Sequence, residues 1–182
     1  MTARDLDAIQ LLTIQHRALE RMMDNLLEED DVQQKIALFE RASDELSVHI
    51  ASEEQVFYPA VNAARTEDNL MESLEEHLSL KRLLADLLEM DPGDKAFEAK
   101  FKVLKEQTEH HHREEEEHLF PKVMRMISQE QRMALGRDML ELQQSLAQEG
   151  DPRENVVDET DAAAPLGRPQ DRPGAGSGAG PR

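Results

Sequence analysis

One short pattern occurs twice in this chain. His49, Glu53, Glu54 and Pro59 recur as His111, Glu115, Glu116 and Pro121, each 62 residues later, and Phe57-Tyr58-Pro59 is echoed by Leu119-Phe120-Pro121. His16 and His77 stand 61 residues apart. The body therefore consists of two similar halves, each offering a lone His and then His-x-x-x-Glu-Glu-x-x-x-x-Pro. A duplicated unit of this kind constrains the fold, because the two copies bury themselves by packing on each other.

The periodicity around the repeat is helical. Ile9, Leu12, His16, Leu19, Met23 and Leu26 step by three and four, which places them on one face of a helix. Three more stripes follow: Phe39, Ala42, Leu46, His49, Glu53, Val56; Leu70, Leu74, His77, Lys81, Leu84, Leu88; and Phe97, Phe101, Leu104, Thr108, His111, Glu115, Leu119. Pro59 and Pro121 are expected to end the second and fourth helices, because proline lacks an N–H and clashes with the preceding turn. Asp91-Pro92-Gly93-Asp94 is a turn. A fifth helix is expected over about 128–148, opened by a Ser128/Gln131 capping box and followed by Gly150. Its stripe of Met133, Leu140 and Leu146 suits either capping the bundle or meeting a second copy. The fold class is all-α: an up-down-up-down four-helix bundle with a C-terminal fifth helix.

Composition sets the outer limits. Five of the eight Gly and five of the eight Pro lie within 151–182. That stretch lacks the apolar surface to offset its ordering entropy. The domain is accordingly expected over 1–148, with 149–182 a disordered Gly/Pro-rich tail. The absence of Cys excludes disulfides, thiolate zinc sites and thiol catalysis. A net charge of −18 opposes contact with a phosphate backbone, so no nucleic-acid partner is expected. The longest apolar runs are three or four residues, against the roughly 20 that span a bilayer. With no membrane segment and no apolar signal core at the start, the expected location is cytoplasmic.

The polar content of the stripes carries the chemistry. His16, His49, His77 and His111 each occupy a position where Leu or Ile would be expected. Glu53 and Glu115 follow their His by four residues, so each pair reaches one point. A buried carboxylate is costly unless it is paired or coordinates a metal. Folded with pseudo-two-fold symmetry, the chain brings four imidazoles and two carboxylates to the bundle axis. That is a ligand set for two metal ions, with two His on each and the two Glu bridging. Imidazole and carboxylate suit iron, manganese or zinc alike.

Glu54 and Glu116 lie about 100° around their helices from the bridging pair. They either hold imidazole N–H groups or face solvent. His110, His112 and His118 are read as solvent-facing or as register alternatives, and Tyr58 as a packing residue at the end of the core, with a proton donor or stray ligand as the other reading.

These residues resemble the hemerythrin-like, or HHE cation-binding, domains over about 5–126. The markers are His16, His49-x-x-x-Glu53-Glu54-x-x-Phe57-x-Pro59, His77, and His111-x-x-x-Glu115-Glu116-x-x-x-Phe120-Pro121. The resemblance implies two non-haem iron ions with an oxo or hydroxo bridge. His16, His49, His77 and His111 would be terminal ligands, with Glu53 and Glu115 as bridges. Oxygen carriers of that family have a further His one turn after the helix-three His, where this chain has Lys81. Four His and two Glu instead resemble the branch linked to cluster repair, nitric oxide or peroxide. The implied function is reaction with a small oxidant (peroxide, nitric oxide or dioxygen), with a non-enzymatic dioxygen or iron sensor or store as the alternative.

Overall fold

The computed structural model describes residues 5–168, and every described element is helical. Four long rods form the bundle. The first is α1 (Ala8–Glu28), opened by a reciprocal capping box between Asp7 and Gln10. The second is α2 (Val32–Ser52), a π-helical turn Glu53–Phe57 and α3 (Tyr58–Val61), running without a break. The third is α4 (Glu67–Leu88). The fourth is α5 (Lys95–Glu114), a π turn Glu115–Leu119 and α6 (Phe120–Met126). The fifth helix, α7 (Gln129–Glu149), carries the expected Ser128/Gln131 box.

The antiparallel order can be read from the core itself. Two apolar clusters fill the bundle, one containing Leu12, Phe57, Leu74 and Leu119, the other Leu19, Leu46, Leu80 and Leu104. Along α1 and α4 the chain passes from the first cluster to the second, and along α2 and α5 it returns. The four His of the stripes sit at the crossing in each rod. The core is thus two greasy plugs with a polar layer between them.

Both prolines depart from expectation. Pro59 and Pro121 lie in the first turns of α3 and α6, and the rods continue past them to Val61 and Met126. The π turn in front of each explains this. Tyr58 N–H reaches back five residues to Glu53 O, and Phe120 N–H to Glu115 O. The chain re-enters the α-helix at that residue, so proline occupies a first turn, where it is tolerated.

Helix α7 lies against α1 and α2 and buries Leu135, Gly136, Met139 and Gln143, none of them in the expected stripe, of which Leu140 is partly buried against the first cluster. Gly136 is needed there, because a Cβ would stand 2.8 Å from the Leu6 carbonyl oxygen. The apolar face of α7 is therefore covered by its own chain.

The expected disordered tail begins too early at 149. The segment continues as α8 (Pro152–Asn155) and a 3₁₀ turn (Val156–Glu159), then runs extended along the bundle to residue 168. Its anchors are spaced rather than clustered. Arg153 pairs with Asp44 at 2.7 Å, Val156 is buried in the second cluster, and Glu159 meets Lys81 at 2.6 Å. Arg82 donates to the carbonyls of Thr160 and Asp161, and Asn62 donates to that of Gly167. Gly/Pro richness averaged over the stretch concealed these few residues. The remaining part of the expected tail, 169–182, lies outside the described residues.

Deleting 149–182 is expected to lower unfolding free energy by about 2–4 kcal/mol, through lost apolar burial and the loss of a partner to Lys81. Urea unfolding of the shortened chain checks this.

Candidate metal centre

The polar layer brings together all six residues expected from the sequence. His16, His77, Glu53 and Glu115 are fully buried, and His49 and His111 are 2% and 1% exposed. The two carboxylates stand in matching positions. Glu53 Oε2 lies 3.4 Å from His49 Nε2 and 3.2 Å from His77 Nε2. Glu115 Oε2 lies 3.3 Å from His16 Nε2 and 3.7 Å from His111 Nε2. Each carboxylate therefore spans two imidazoles from different rods.

The π turns make this possible. Each begins at the Glu itself, whose N–H is shared between two carbonyls, His49 and Ile50 for Glu53, His111 and His112 for Glu115. Widening the helix here swings the carboxylate toward the axis while keeping the backbone bonded.

A ring of outer groups fixes the imidazoles. The Nδ1 of His16 meets Glu116 at 2.9 Å, that of His77 meets Glu54 at 3.2 Å, and that of His111 meets Glu76 at 2.7 Å. His49 Nδ1 meets Gln15 Oε1 at 3.2 Å. An ionised carboxylate only accepts, so Nδ1 must carry the proton and Nε2 must present a lone pair inward. Glu54 and Glu116 thus hold imidazole N–H groups, one of the two roles their sequence position left open. Arg17 braces Glu116 at 2.5 Å, and Lys81 braces Glu54 at 2.7 Å. Lys81 is 4% exposed and sits outside the ring of inward nitrogens, one residue removed from His77.

One member was missed. His112, read as solvent-facing or as a register alternative to the six, is 1% exposed, and its ring stacks on His16 at 3.8 Å between centroids. Its Nδ1 meets Glu20 at 3.1 Å. The rod α5 packs between α4 and α1, so adjacent residues serve different neighbours: His111 meets Glu76 of α4, and His112 meets Glu20 of α1. The available signal was Glu20, one turn after His16 and sharing Arg17 with Glu116. His110 and His118 are solvent-facing as expected, with side chains 52% and 54% exposed.

His112 also breaks the internal symmetry, because the matching residue in the first half is Ile50. Tyr58 breaks it in the other direction, since its counterpart is Phe120. Tyr58 is no simple packing residue: its hydroxyl donates to Glu115 Oε1 at 2.9 Å and lies 3.3 Å from His77 Nε2. Two unlike subsites result. His16, His49 and His112 gather on one side; Glu53, His77 and His111, with Tyr58 beside them, gather on the other.

The donor set fits metal cations. His16 Nε2, His49 Nε2, His112 Nε2, both Glu53 oxygens and Glu115 Oε2 are buried without a hydrogen-bond partner among the described residues. His77 Nε2 and His111 Nε2 face each other at 3.0 Å, both committed as acceptors by their Nδ1 bonds. Buried polar atoms in proteins are nearly always satisfied, so a convergent set of orphans calls for a ligand. The electrostatics agree. Burial, then repulsion from Glu115, pushes Glu53 well above the usual carboxylate range. Burial, reinforced by His16 and His112, pushes His49 well below its ordinary value. Burial likewise brings His112 down to about 3. His49 and His112 are thereby held in the neutral form, which is the form that binds metal, whereas Glu115 and Glu116 outweigh burial at His16 and raise it.

A helical bundle with a central layer of His and Glu lone pairs defines a cation-binding bundle protein. The Hemerythrin HHE cation binding domain family matches residues 7–123, well over half of the 182-residue chain, and the chain belongs to that family. A crystal structure of an HHE cation-binding domain-containing protein, the Rv2633c homologue from Mycobacterium kansasii, is similar with a TM-score of 0.70 at 22% identity. The match covers 84% of this chain and 98% of that one. A DNA nickase from Nostoc sp. is 26% identical over 128 residues, 70% of this chain and 36% of the relative. The chain thus spans about a third of that relative's length. Among the described residues, no helix is long and apolar enough to cross a membrane.

His112→Ala is expected to lower bound cation markedly, whereas His110→Ala leaves it unchanged. Elemental analysis of the two variants purified side by side checks the assignment.

Proposed function

We propose that this chain is a cytoplasmic non-haem di-iron protein. It reacts with a small oxidant (peroxide, nitric oxide or dioxygen) in oxidative or nitrosative stress or in iron-cluster repair. The observation that supports it best is the placement of Glu53 Oε2 and Glu115 Oε2, each between one His of either subsite. Carboxylates so placed suit bridging between two ions. His16, His49 and His112 would hold one iron, and His77 and His111 the other, with Glu53 and Glu115 shared. Neutral imidazole and carboxylate accept several metals, and membership of the hemerythrin family favours iron.

Bound iron would supply one-electron redox chemistry and Lewis acidity. The chain's own residues supply the rest. Glu116, Glu54, Glu76 and Glu20 fix the imidazole tautomers and raise their basicity. The two apolar clusters exclude bulk water from above and below. Tyr58 brings a proton into the layer: burial first, then the charges of Glu115 and Glu53, hold its phenol well above the ordinary value, so it stays a donor. The ligand is a small diatomic or peroxide; the net charge of −18 disfavours nucleic acid as a direct partner.

A second reading, reversible dioxygen binding or iron sensing, gains from His112. Oxygen carriers of the family have a fifth imidazole where this chain has Lys81, and His112, buried and stacked on His16, would offer a fifth from another rod.

Anaerobic ferrous loading should give two irons per chain, and the loaded protein should consume peroxide or nitric oxide. Two irons with reversible dioxygen binding and no consumption would favour the second reading. Glu53→Ala should lower iron content and thermal stability together, because metal binding is folding free energy here. Two irons retained in that variant would sink the ligand assignment. Tyr58→Phe should keep its iron while consumption falls by about tenfold to a hundredfold, the loss of a positioned proton donor.

A further inference from the structure

A cavity of about 310 Å³ opens beside the metal layer, between α1, α2, α7 and the α7–α8 corner. Its walls are Ala18, Met22, Val48, Leu140 and Ala147. Its deep end is polar: Gln15, the 8%-exposed Gln143, and the outer edge of His49. The volume lies at the lower end of small-molecule pockets. It is far more than a diatomic needs, given the ~30 Å³ that one water occupies in the liquid.

The hydrogen bonds at the deep end define the head group that fits. Gln15 Nε2 donates to Gln143 Oε1 at 2.8 Å. Gln143 Nε2 donates to Gln15 Oε1 at 3.2 Å and to Ser52 Oγ at 2.8 Å. Gln15 Oε1 also accepts from His49 Nδ1. These bonds use both Gln143 N–H groups and both Gln15 Oε1 lone pairs. One N–H of Gln15 and one lone pair of Gln143 Oε1 are left over. A donor beside an acceptor complements a hydroxyl or hydroperoxyl group, which gives one hydrogen bond and takes one. The lining adds a charge preference: it holds Glu45 and Asp44, the latter paired with Arg153, and no Lys or Arg, so an anion finds no free cationic partner there.

We propose that this cavity is the access and binding site for a neutral alkyl compound with a hydroxyl or hydroperoxyl head, an alkyl hydroperoxide being the oxidant of that form. The head bonds the Gln15–Gln143 pair above His49, and a short branched alkyl body lies among Met22, Val48 and Leu140. The hydroperoxide assignment rests on the oxidant reading above; the binding of the chemical class does not.

Ligand-observed saturation-transfer NMR on the purified chain tests this, with tert-butanol as the probe and iron content measured on the same samples. The wild type should give a tert-butanol signal that tert-butyl hydroperoxide displaces and acetate does not. Ala147→Trp covers the mouth and Ala18→Leu fills the wall. In each the signal should fall about fivefold or more, with iron content unchanged. A signal absent from the wild type, persisting in both variants, or displaced by acetate as well as by the hydroperoxide overturns the proposal. Binding with these properties in a protein that takes up no iron would overturn the oxidant reading while upholding the cavity assignment.

Discussion

Seven lone-pair donors pointing at one another inside a helical bundle is an arrangement that folding alone does not favour. Burying polar atoms without partners costs several kcal/mol in sum, and here five imidazole Nε2 atoms and two carboxylates converge in a layer that water does not reach. What makes the layer tolerable is the outer ring. Glu116, Glu54, Glu76, Glu20 and Gln15 each take one Nδ1–H, so the imidazoles are held in one tautomer and one orientation. Arg17 and Lys81 in turn neutralise three of those carboxylates. The acidic character of the chain is thus partly structural: carboxylates on the bundle flank are what turn the histidines inward.

The backbone concedes regularity at the same level. Both rods that carry a buried Glu of the polar layer widen into a π turn starting at that Glu, and both tighten again one residue before a proline. An unbroken α-helix would keep Glu one turn beyond its His but aimed less toward the axis. The prolines then mark where the helix resumes. A residue type that usually ends a helix here follows a deviation already made for the site.

Much of this was legible in the sequence, because the stripes and the 62-residue repeat are local or periodic signals. The four rods, the polar layer and its six expected members follow from spacing alone. The misses have a common physical origin. His112, Tyr58 and the ordering of 149–168 depend on which neighbour lies beside a residue, and periodicity on one helix cannot show that. His112 sits 100° from His111, off the stripe, yet α5 has a partner on that side too. Tyr58 occupies the repeat position of Phe120, and only its hydroxyl distinguishes it. Residues 149–168 are held by dispersed contacts with Asp44, Lys81, Arg82 and Asn62 and by a few apolar side chains such as Val156, each too ordinary to notice in a sequence.

Two additions to the four-rod frame each reach a histidine, one through a single intermediary and the other through two. Helix α7 touches His49 through Gln143 and Gln15; the C-terminal segment touches His77 through Glu159, Lys81 and Glu54. The two routes end in different subsites, one built on three histidines and the other on two histidines beside Tyr58. The repeat gives a nearly symmetric ligand cage, and the parts outside the repeat make its two halves unequal. Inequality of this kind would let one subsite hold an ion by three imidazoles while the other keeps a protonated phenol at hand. A site that must both retain metal and meet a ligand gains from that division. In this chain the division is made by residues that the duplication did not copy: His112 over Ile50, Tyr58 over Phe120, and Gln143 on a helix with no counterpart at all.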